Sequence, residues 1–145
     1  MPFRFPLATV LRVRESVQRQ EERALQKILL EMARLTHQID RLTAEIAEAF
    51  NAEQRAMQRP IPASQVQMLV WTKQAAVEKR TALDRNRQTL GQQRDRQLKI
   101  YHAAYRNCET LSNLHDSQRD KYEQEKTRAH QKRIDDIFAA RRQRG

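Results

Sequence analysis

The sequence has very few residues that interrupt helices. Its two glycines are Gly91 and Gly145, and its four prolines lie near the start or at one central site: Pro2, Pro6, Pro60 and Pro62. Proline lacks a backbone donor and clashes with the preceding turn, so long proline-free intervals favour continuous helices. We therefore predict an all-α fold of one domain over residues 1–145. It is a long antiparallel two-helix coiled coil, or helical hairpin, with helices over about 6–59 and 64–142 and a turn at about 60–63.

The chain is also poor in the residues that build catalytic and metal sites. Two glycines leave no phosphate-cradling loop, and the single cysteine, Cys108, excludes an internal disulfide framework. None of the four histidines has a second ligand type at the i, i+4 spacing of a helical zinc pair. Cys108 and His115, seven residues apart, are interpreted as neighbours in a helix seam. We expect no enzyme activity, no cofactor and no metal, and the lone cysteine fits a reducing compartment.

Charge is abundant and mostly positive. The net charge is +10, with 32% charged and only 39% hydrophobic residues, too few for a thick globular core. Such a balance favours acidic proteins, nucleic acid or anionic lipid as partners. Basic residues exceed acidic ones by 10 to 8 up to Arg59, by 9 to 5 from Pro60 to Gln118, and by 9 to 5 beyond. No apolar run is long enough to span a membrane.

The first helix carries the clearest pattern. Apolar residues alternate steps of three and four, the spacing that keeps one stripe facing a partner helix. The stripe consists of Leu25, Ile28, Met32, Leu35, Ile39, Leu42, Ile46 and Ala49. This regularity predicts a coiled coil, and Pro6 is expected at the first helical position.

The second helix has a less regular seam. Ser64 and Gln67 form a candidate capping box at its start. Its seam is predicted at heptad spacing: Leu69, Ala76, Leu83, Leu90 and Leu111. A companion row places four basic residues in succession: Lys73, Arg80, Arg87 and Arg94. Either the register drifts towards Val70, Val77, Leu98 and Tyr105, or the basic stems lie along the seam and their heads reach water or acids such as Asp40 and Glu45.

The two helices are unequal in length. At 1.5 Å per residue they span roughly 75 to 80 Å and roughly 120 Å. In a hairpin folded at Ile61, the first helix runs out opposite about Asp116, so about 25 to 30 residues of the second have no partner. Apolar side chains within that overhang predict a docking segment.

A second candidate surface lies near the turn. Trp71 falls on neither row of the second helix and is expected to face outward, with Phe50 and Met57 nearby on the first helix. Exposed aromatic residues are typical anchors of protein interfaces. The alternative is that Trp71 folds over Phe50 and braces the turn.

Three groups of residues resemble a known family. The opening Phe3-Arg4-Phe5-Pro6-Leu7, followed by Val10-Leu11 and Arg14, resembles the start of FliJ-type flagellar export proteins. Tyr105-Arg106-x-x-Glu109-x-Leu111 and Tyr122-Glu123-x-Glu125 resemble the second half, as does a basic stretch followed by Asp135-Asp136. The likeness covers almost the whole chain, including its central break.

That resemblance implies a non-enzymatic role in flagellar type III protein export. Such proteins resemble the two-helix stalk of the rotary ATPase gamma subunit. They are thought to enter and stimulate a hexameric export ATPase and to connect it with the cytoplasmic part of the membrane-embedded export gate. A general chaperone or escort role is also implied, in the cytoplasm at the inner-membrane base of the flagellum. The resemblance implies that the helix pair nearest the two termini enters the ATPase ring, so the candidate ring contacts are Phe3, Phe5, Arg14, Tyr122, Arg133, Ile134, Asp135, Asp136 and Phe138. For each of them the alternative is ordinary packing or a frayed terminus. Gate or chaperone contacts are expected at Phe50, Met57 and Trp71.

Two other interpretations follow from charge and seam alone. A basic coiled coil is also able to bind nucleic acid, although few aromatic residues are placed for base stacking, which disfavours this partner. The second is a structural tether, including one that dimerises into four helices.

Overall fold

The chain forms two α-helices and no strand within residues 2–144, which are the residues that the computed structural model describes. Helix α1 spans Ala8–Ala56 and helix α2 spans Ala63–Arg144, with lengths of 49 and 82 residues. The predictions of an all-α helical pair and of a longer C-terminal helix are confirmed.

Helix α1 begins slightly later than predicted and ends slightly earlier. The Phe5 carbonyl accepts the Ala8 N–H at 3.1 Å, and the Leu7 carbonyl accepts the Leu11 N–H at 2.9 Å. Pro6 therefore lies in a turn that leads into the helix and not at its first position. At the other end the chain tightens into three-residue turns, because the Gln58 N–H bonds to the Arg55 carbonyl at 3.2 Å.

Helix α2 begins one residue before the predicted capping box. The Pro62 carbonyl accepts the N–H groups of Gln65 at 3.0 Å and Val66 at 3.4 Å. Ser64 thus lies inside the first turn, so the prediction that Ser64 caps the helix is wrong. Proline at the preceding position explains the shift, since its fixed φ already suits helix entry and its carbonyl supplies the first acceptor.

The contacts divide the chain into two compact units. The hairpin unit comprises Glu22–Ile100, that is, the C-terminal part of α1, the turn and the N-terminal part of α2. The terminal unit comprises the residues up to Glu21 together with those from Tyr101 onward.

In the hairpin unit the two helices pack antiparallel along the predicted stripe. Glu53 pairs with Lys73, and the Met32 methyl lies nearest to the position of a Cβ built on Gly91, which fixes the register. Ile39 and Leu42 are buried, at 7% and 8% exposure. The other predicted seam residues of this unit are half-buried: Leu25, Ile28, Met32, Leu35, Ile46, Leu69, Ala76, Leu83 and Leu90.

The basic residues of α2 belong to this seam. All four are half-buried: Lys73, Arg80, Arg87 and Arg94. In the alternative row, Val70 and Leu98 are 36% and 37% exposed and Val77 is half-buried, so this row lies at the edge of the seam. The structure thus adopts the arrangement in which basic stems cover the aliphatic seam. This arrangement costs little free energy of desolvation, because the long stems bury methylene groups while the charged heads keep access to water.

In the terminal unit, a short N-terminal segment extends the pairing beyond α1. Phe5, Ala104 and Cys108 are buried, and Leu111 is half-buried. The N-terminal segment, residues 2–7, reaches Tyr122 through Phe3. Beyond Tyr122, every described residue of α2 is exposed except Ile134, which is half-buried. The overhang therefore starts later than the predicted position near Asp116.

Candidate partner-binding surfaces

An aromatic cluster holds the N-terminal segment against α2. The Phe5 ring lies 5.1 Å from the His115 ring in an edge-to-face arrangement, and the Phe3 ring lies 5.5 Å from His115 and 5.7 Å from Tyr122. Aromatic pairs of this geometry stabilise a fold by more than the burial of their apolar area alone. His115 Nδ1 also donates to Asp116 Oδ1 at 3.1 Å.

This packing changes the role expected of the aromatic residues. Phe5 is only 8% exposed, so its side chain is unavailable to a partner while the segment stays in place. Phe3 and Tyr122 are half-buried in the same cluster. The prediction of Phe5 as a directly partner-facing residue is therefore replaced by a structural role. The reason is that α1 leaves α2 uncovered from about His115 to Tyr122, and the two phenylalanines fill that gap.

The C-terminal part of α2 presents an unpaired apolar surface, which we call the terminal surface: Ile134, Ile137 and Phe138. Ile137 and Phe138 are 55% and 61% exposed. The spacing i, i+3, i+4 places the three residues on one face. Ile137 lies in the docking segment predicted for the overhang, although it was not among the residues predicted to contact the ATPase.

Charged residues surround the terminal surface. The predicted contact residues Arg133, Asp135 and Asp136 are exposed, and Gln131 Nε2 donates to Asp135 Oδ1 at 3.2 Å. Residues 123–144 contain seven basic and four acidic residues. Three arginines lie in the last turn, where positive charge complements the helix dipole: Arg141, Arg142 and Arg144.

Arg14, the remaining predicted contact of the terminal unit, lies away from the terminal surface. It borders a shallow groove between the helices, together with Val10 on α1 and Asn107, Thr110 and Leu111 on α2. The structure thus places the predicted terminal residues in three separate locations: the aromatic cluster, the terminal surface and this groove.

The hairpin unit carries its own exposed apolar surface, which we call the tip surface: Phe50, Met57, Met68 and Trp71. Trp71 is 62% exposed, and both methionines are 69% exposed. Met57 lies in the turn just after α1, and Met68 lies one helical turn before Trp71. Met68 was missed by sequence reasoning, although its spacing of three from Trp71 places it on the same outward face.

Trp71 does not brace the turn by covering Phe50. Within residues 2–144 no ring contact joins the two side chains, and the Phe50 ring instead has Lys73 Nζ at 5.9 Å from its centroid. The same Nζ lies 2.8 Å from Glu53 Oε2. The outward orientation of Trp71 leaves a large, rigid aromatic group free for contact.

The remaining reactive group, Cys108, is enclosed in the seam of the terminal unit. Burial raises the pKa of its thiol above the usual 9.0, nearby Glu15 raises it further, and Arg19 lowers it. A neutral buried thiol is a poor nucleophile. Within residues 2–144 no three His, Cys, Asp or Glu side chains are grouped to hold a metal ion, and neither helix is apolar enough over a sufficient length to cross a membrane.

The fold is that of a helical hairpin, and exposed aromatic and methionine residues on paired helices are typical of protein-binding surfaces. Comparison with protein families identifies the group to which this hairpin belongs. The family described as "Flagellar FliJ protein" matches residues 3–145. The chain belongs to this family and is a component of the flagellar protein export apparatus, in which the family has no catalytic role. No curated protein and no solved structure matches the chain significantly.

Proposed function

We propose that this chain is the central stalk of the flagellar export ATPase. The terminal unit enters the hexameric ring and stimulates ATP hydrolysis, and the hairpin unit presents the tip surface to the export gate and to export chaperones. The protein acts in the cytoplasm at the inner-membrane base of the flagellum.

One observation supports the ring contact most strongly. Residues 123–144 continue α2 without a covering segment of α1, and they keep Ile137 and Phe138 more than half exposed. Exposed apolar groups on an unpaired helix favour association, because burial of each side chain stabilises a complex by about 1.5 to 3 kcal/mol. The family resemblance favours the export ATPase as the partner in this proposal.

The charge distribution fits a ring that surrounds one helical pair. A hexamer presents six similar surfaces to an asymmetric stalk, so only some subunits are well matched at any moment. The seven basic residues of residues 123–144 favour shallow ionic contacts, which exchange more readily than a large apolar interface.

The test is stimulation of ATP hydrolysis by the cognate export ATPase. Adding the full chain is expected to raise the rate of ATP hydrolysis. Phe138→Ser is expected to weaken this effect, so that the concentration giving half-maximal stimulation rises at least about tenfold. Leu30→Ser is the matched control, because Leu30 is 64% exposed on α1 in the hairpin unit. Failure of the wild-type chain to stimulate an assembled ring, or equal loss in both variants, contradicts the proposal.

A further inference from the structure

Four basic residues of α2 lie at seam positions of the hairpin unit, where coiled coils usually carry apolar residues, and they line the bottom of a groove between the two helices. Lys73, Arg80, Arg87 and Arg94 recur every seven residues and are half-buried. At 1.5 Å per residue their Cα atoms are about 10.5 Å apart along one line of α2. Between residues 63 and 100, α2 contains eight basic and three acidic residues, whereas residues 22–59 contain six of each. The positive excess of this unit therefore resides on α2.

Most of this charge is not neutralised across the interface. Lys73 pairs with Glu53 of α1, but Arg87 pairs only with Asp84 and Arg94 only with Asp95, both on their own helix and at 3.2 Å. The two arginine side chains remain 41% exposed. Arg80 has no ion pair within residues 2–144. Exposed local pairs are weak, so the guanidinium groups remain available to a stronger acceptor.

The α1 side of this groove carries one acid, Glu53, which pairs with Lys73. Phe50 and Glu53, which both contact Lys73, mark the side of α1 that borders the basic row. The rest of this rim lies at intervals of seven residues before Phe50 on α1: Thr43, Thr36 and Leu29. Leu29 and Phe50 are more than 40% exposed, and the Thr43 hydroxyl already donates to the Ile39 carbonyl at 2.8 Å. Apart from Glu53, which Lys73 engages, this rim offers apolar contact and no carboxylate beside Arg80, Arg87 and Arg94.

The α2 rim is also largely apolar. Four of its residues lie four positions after a basic residue, and the fifth, Val70, lies one heptad before Val77. The row is Val70, Val77, Asp84, Gly91 and Leu98. Asp84 is the only acid in this row, and it is engaged by Arg87. A Cβ added at Gly91 meets the Met32 methyl at 4.0 Å, an ordinary contact distance, so this position brings no charge to the rim. The ionic residues of α1 instead border the opposite groove, where Gln38, Arg41 and Glu45 lie with Lys79.

We infer that this basic groove, with its charged floor and apolar rims, binds an acidic amphipathic helix of a partner protein. Carboxylates spaced by seven residues on such a helix match the arginine spacing, and apolar residues beside them contact the two rims. Arginine forks bind carboxylates in two-point geometry, which favours this acceptor. The inference does not depend on the proposed ATPase contact, because every residue of the groove lies in the hairpin unit.

Two other occupants fit the groove less well. Phosphates on one strand of duplex DNA advance about 3.4 Å per nucleotide and wind around the axis, so they do not follow a straight row with a repeat of about 10.5 Å. A second copy of the chain brings one row of acids at every seventh residue, Glu109, Asp116 and Glu123, but the central Asp116 is already engaged by His115 and Arg119 of its own helix.

The test uses a labelled synthetic helix of about four heptads, with glutamate at every seventh position and leucine on either side of the glutamate row. Binding to the full chain is measured by fluorescence anisotropy. The triple variant Arg80→Gln, Arg87→Gln, Arg94→Gln is expected to raise the Kd at least about tenfold. The matched control removes three charges from exposed positions outside the groove, Arg85→Gln, Arg96→Gln and Lys99→Gln, and is expected to change the Kd less than about threefold.

A conservative variant guards against loss of folding. Arg80→Lys, Arg87→Lys, Arg94→Lys keeps the stems and the charge, and it is expected to bind within about fivefold of wild type with unchanged circular dichroism. Equal losses in the groove and control variants, or equal binding of a peptide with glutamine in place of glutamate, would overturn the inference. So would groove-dependent retention of duplex DNA without peptide binding, or a dimer in light scattering that the groove variant abolishes.

Discussion

Lys73 Nζ lies 2.8 Å from Glu53 Oε2, an ion pair that joins α2 to α1 close to the turn of the hairpin unit. The two side chains are 31% and 15% exposed, so water screens the pair only partly. The same Nζ lies over the Phe50 ring at 5.9 Å. One lysine thus connects both helices and the apolar rim of the basic groove.

This pair is expected to couple energetically in a double-mutant cycle. Glu53→Gln and Lys73→Met together should show a coupling free energy of about 0.5 to 1 kcal/mol, measured by urea unfolding at low salt. Raising the salt concentration should diminish it. The control cycle uses Glu48 and Lys99, which are exposed and form no ion pair within residues 2–144. Equal coupling in the two cycles would contradict the assigned contact.

Gly91 is expected to weaken α2. Glycine inside a helix costs about 0.5 to 1 kcal/mol relative to alanine, and a Cβ here meets only the Met32 methyl at ordinary contact distance, 4.0 Å. Gly91→Ala should therefore raise the free energy of unfolding by about this amount. Exposed Ala75→Gly in the same helix should lower it by a similar amount. A decrease for Gly91→Ala would show that the site requires glycine.

Much of the fold follows from two simple patterns. Intervals without proline predict the helices, and the three-four spacing of α1 predicts which residues are buried, because both depend on local geometry. The basic row of α2 was ambiguous, since drift of the register and burial of long stems produce the same sequence pattern. Only the packing separates them, through half-buried Arg80 and exposed Leu98.

The N-terminal segment could not be predicted in this way. Phe3 and Phe5 precede α1 and follow no helical period, so nothing local indicates that they pack on His115. Their contacts join residues more than 100 positions apart in the sequence. The sequence marked the aromatic residues as notable, but it offered no signal to separate a binding role from a packing role.

Removing the Phe5 ring is expected to release the N-terminal segment. Phe5→Ala deletes a buried aromatic side chain, a change that typically costs about 3 to 5 kcal/mol. Hydrogen exchange should accelerate at the Ala8 and Leu11 amides, which bond to the Phe5 and Leu7 carbonyls. Phe3→Ala should have a smaller effect, because Phe3 is only half-buried. Phe138→Ala should leave both amides unchanged, and unchanged exchange in Phe5→Ala would contradict the packing.

Cys108 is expected to react slowly and to destabilise the fold at alkaline pH. Its raised pKa means that folding favours the neutral thiol. The resulting stability is fully present below the usual pKa of 9.0 and is lost as pH rises through the higher folded value. Alkylation at pH 8 should be much faster in urea than in buffer.

Cys108→Ala isolates this effect from the titration of other groups. The variant should lose less stability than wild type as pH rises above 9.0, as measured by thermal unfolding at each pH. Identical pH profiles, together with fast alkylation of the folded wild type, would show that the thiol is not enclosed.

Site-specific photo-cross-linking with the complete export apparatus tests the central claim most directly. A cross-linking amino acid replaces either Phe138 in the terminal surface or Trp71 in the tip surface, and the captured proteins are identified by mass spectrometry. The stalk proposal predicts that the probe at Phe138 captures the export ATPase and that the probe at Trp71 captures gate or chaperone proteins. Capture of the ATPase from Trp71 but not from Phe138 would contradict it.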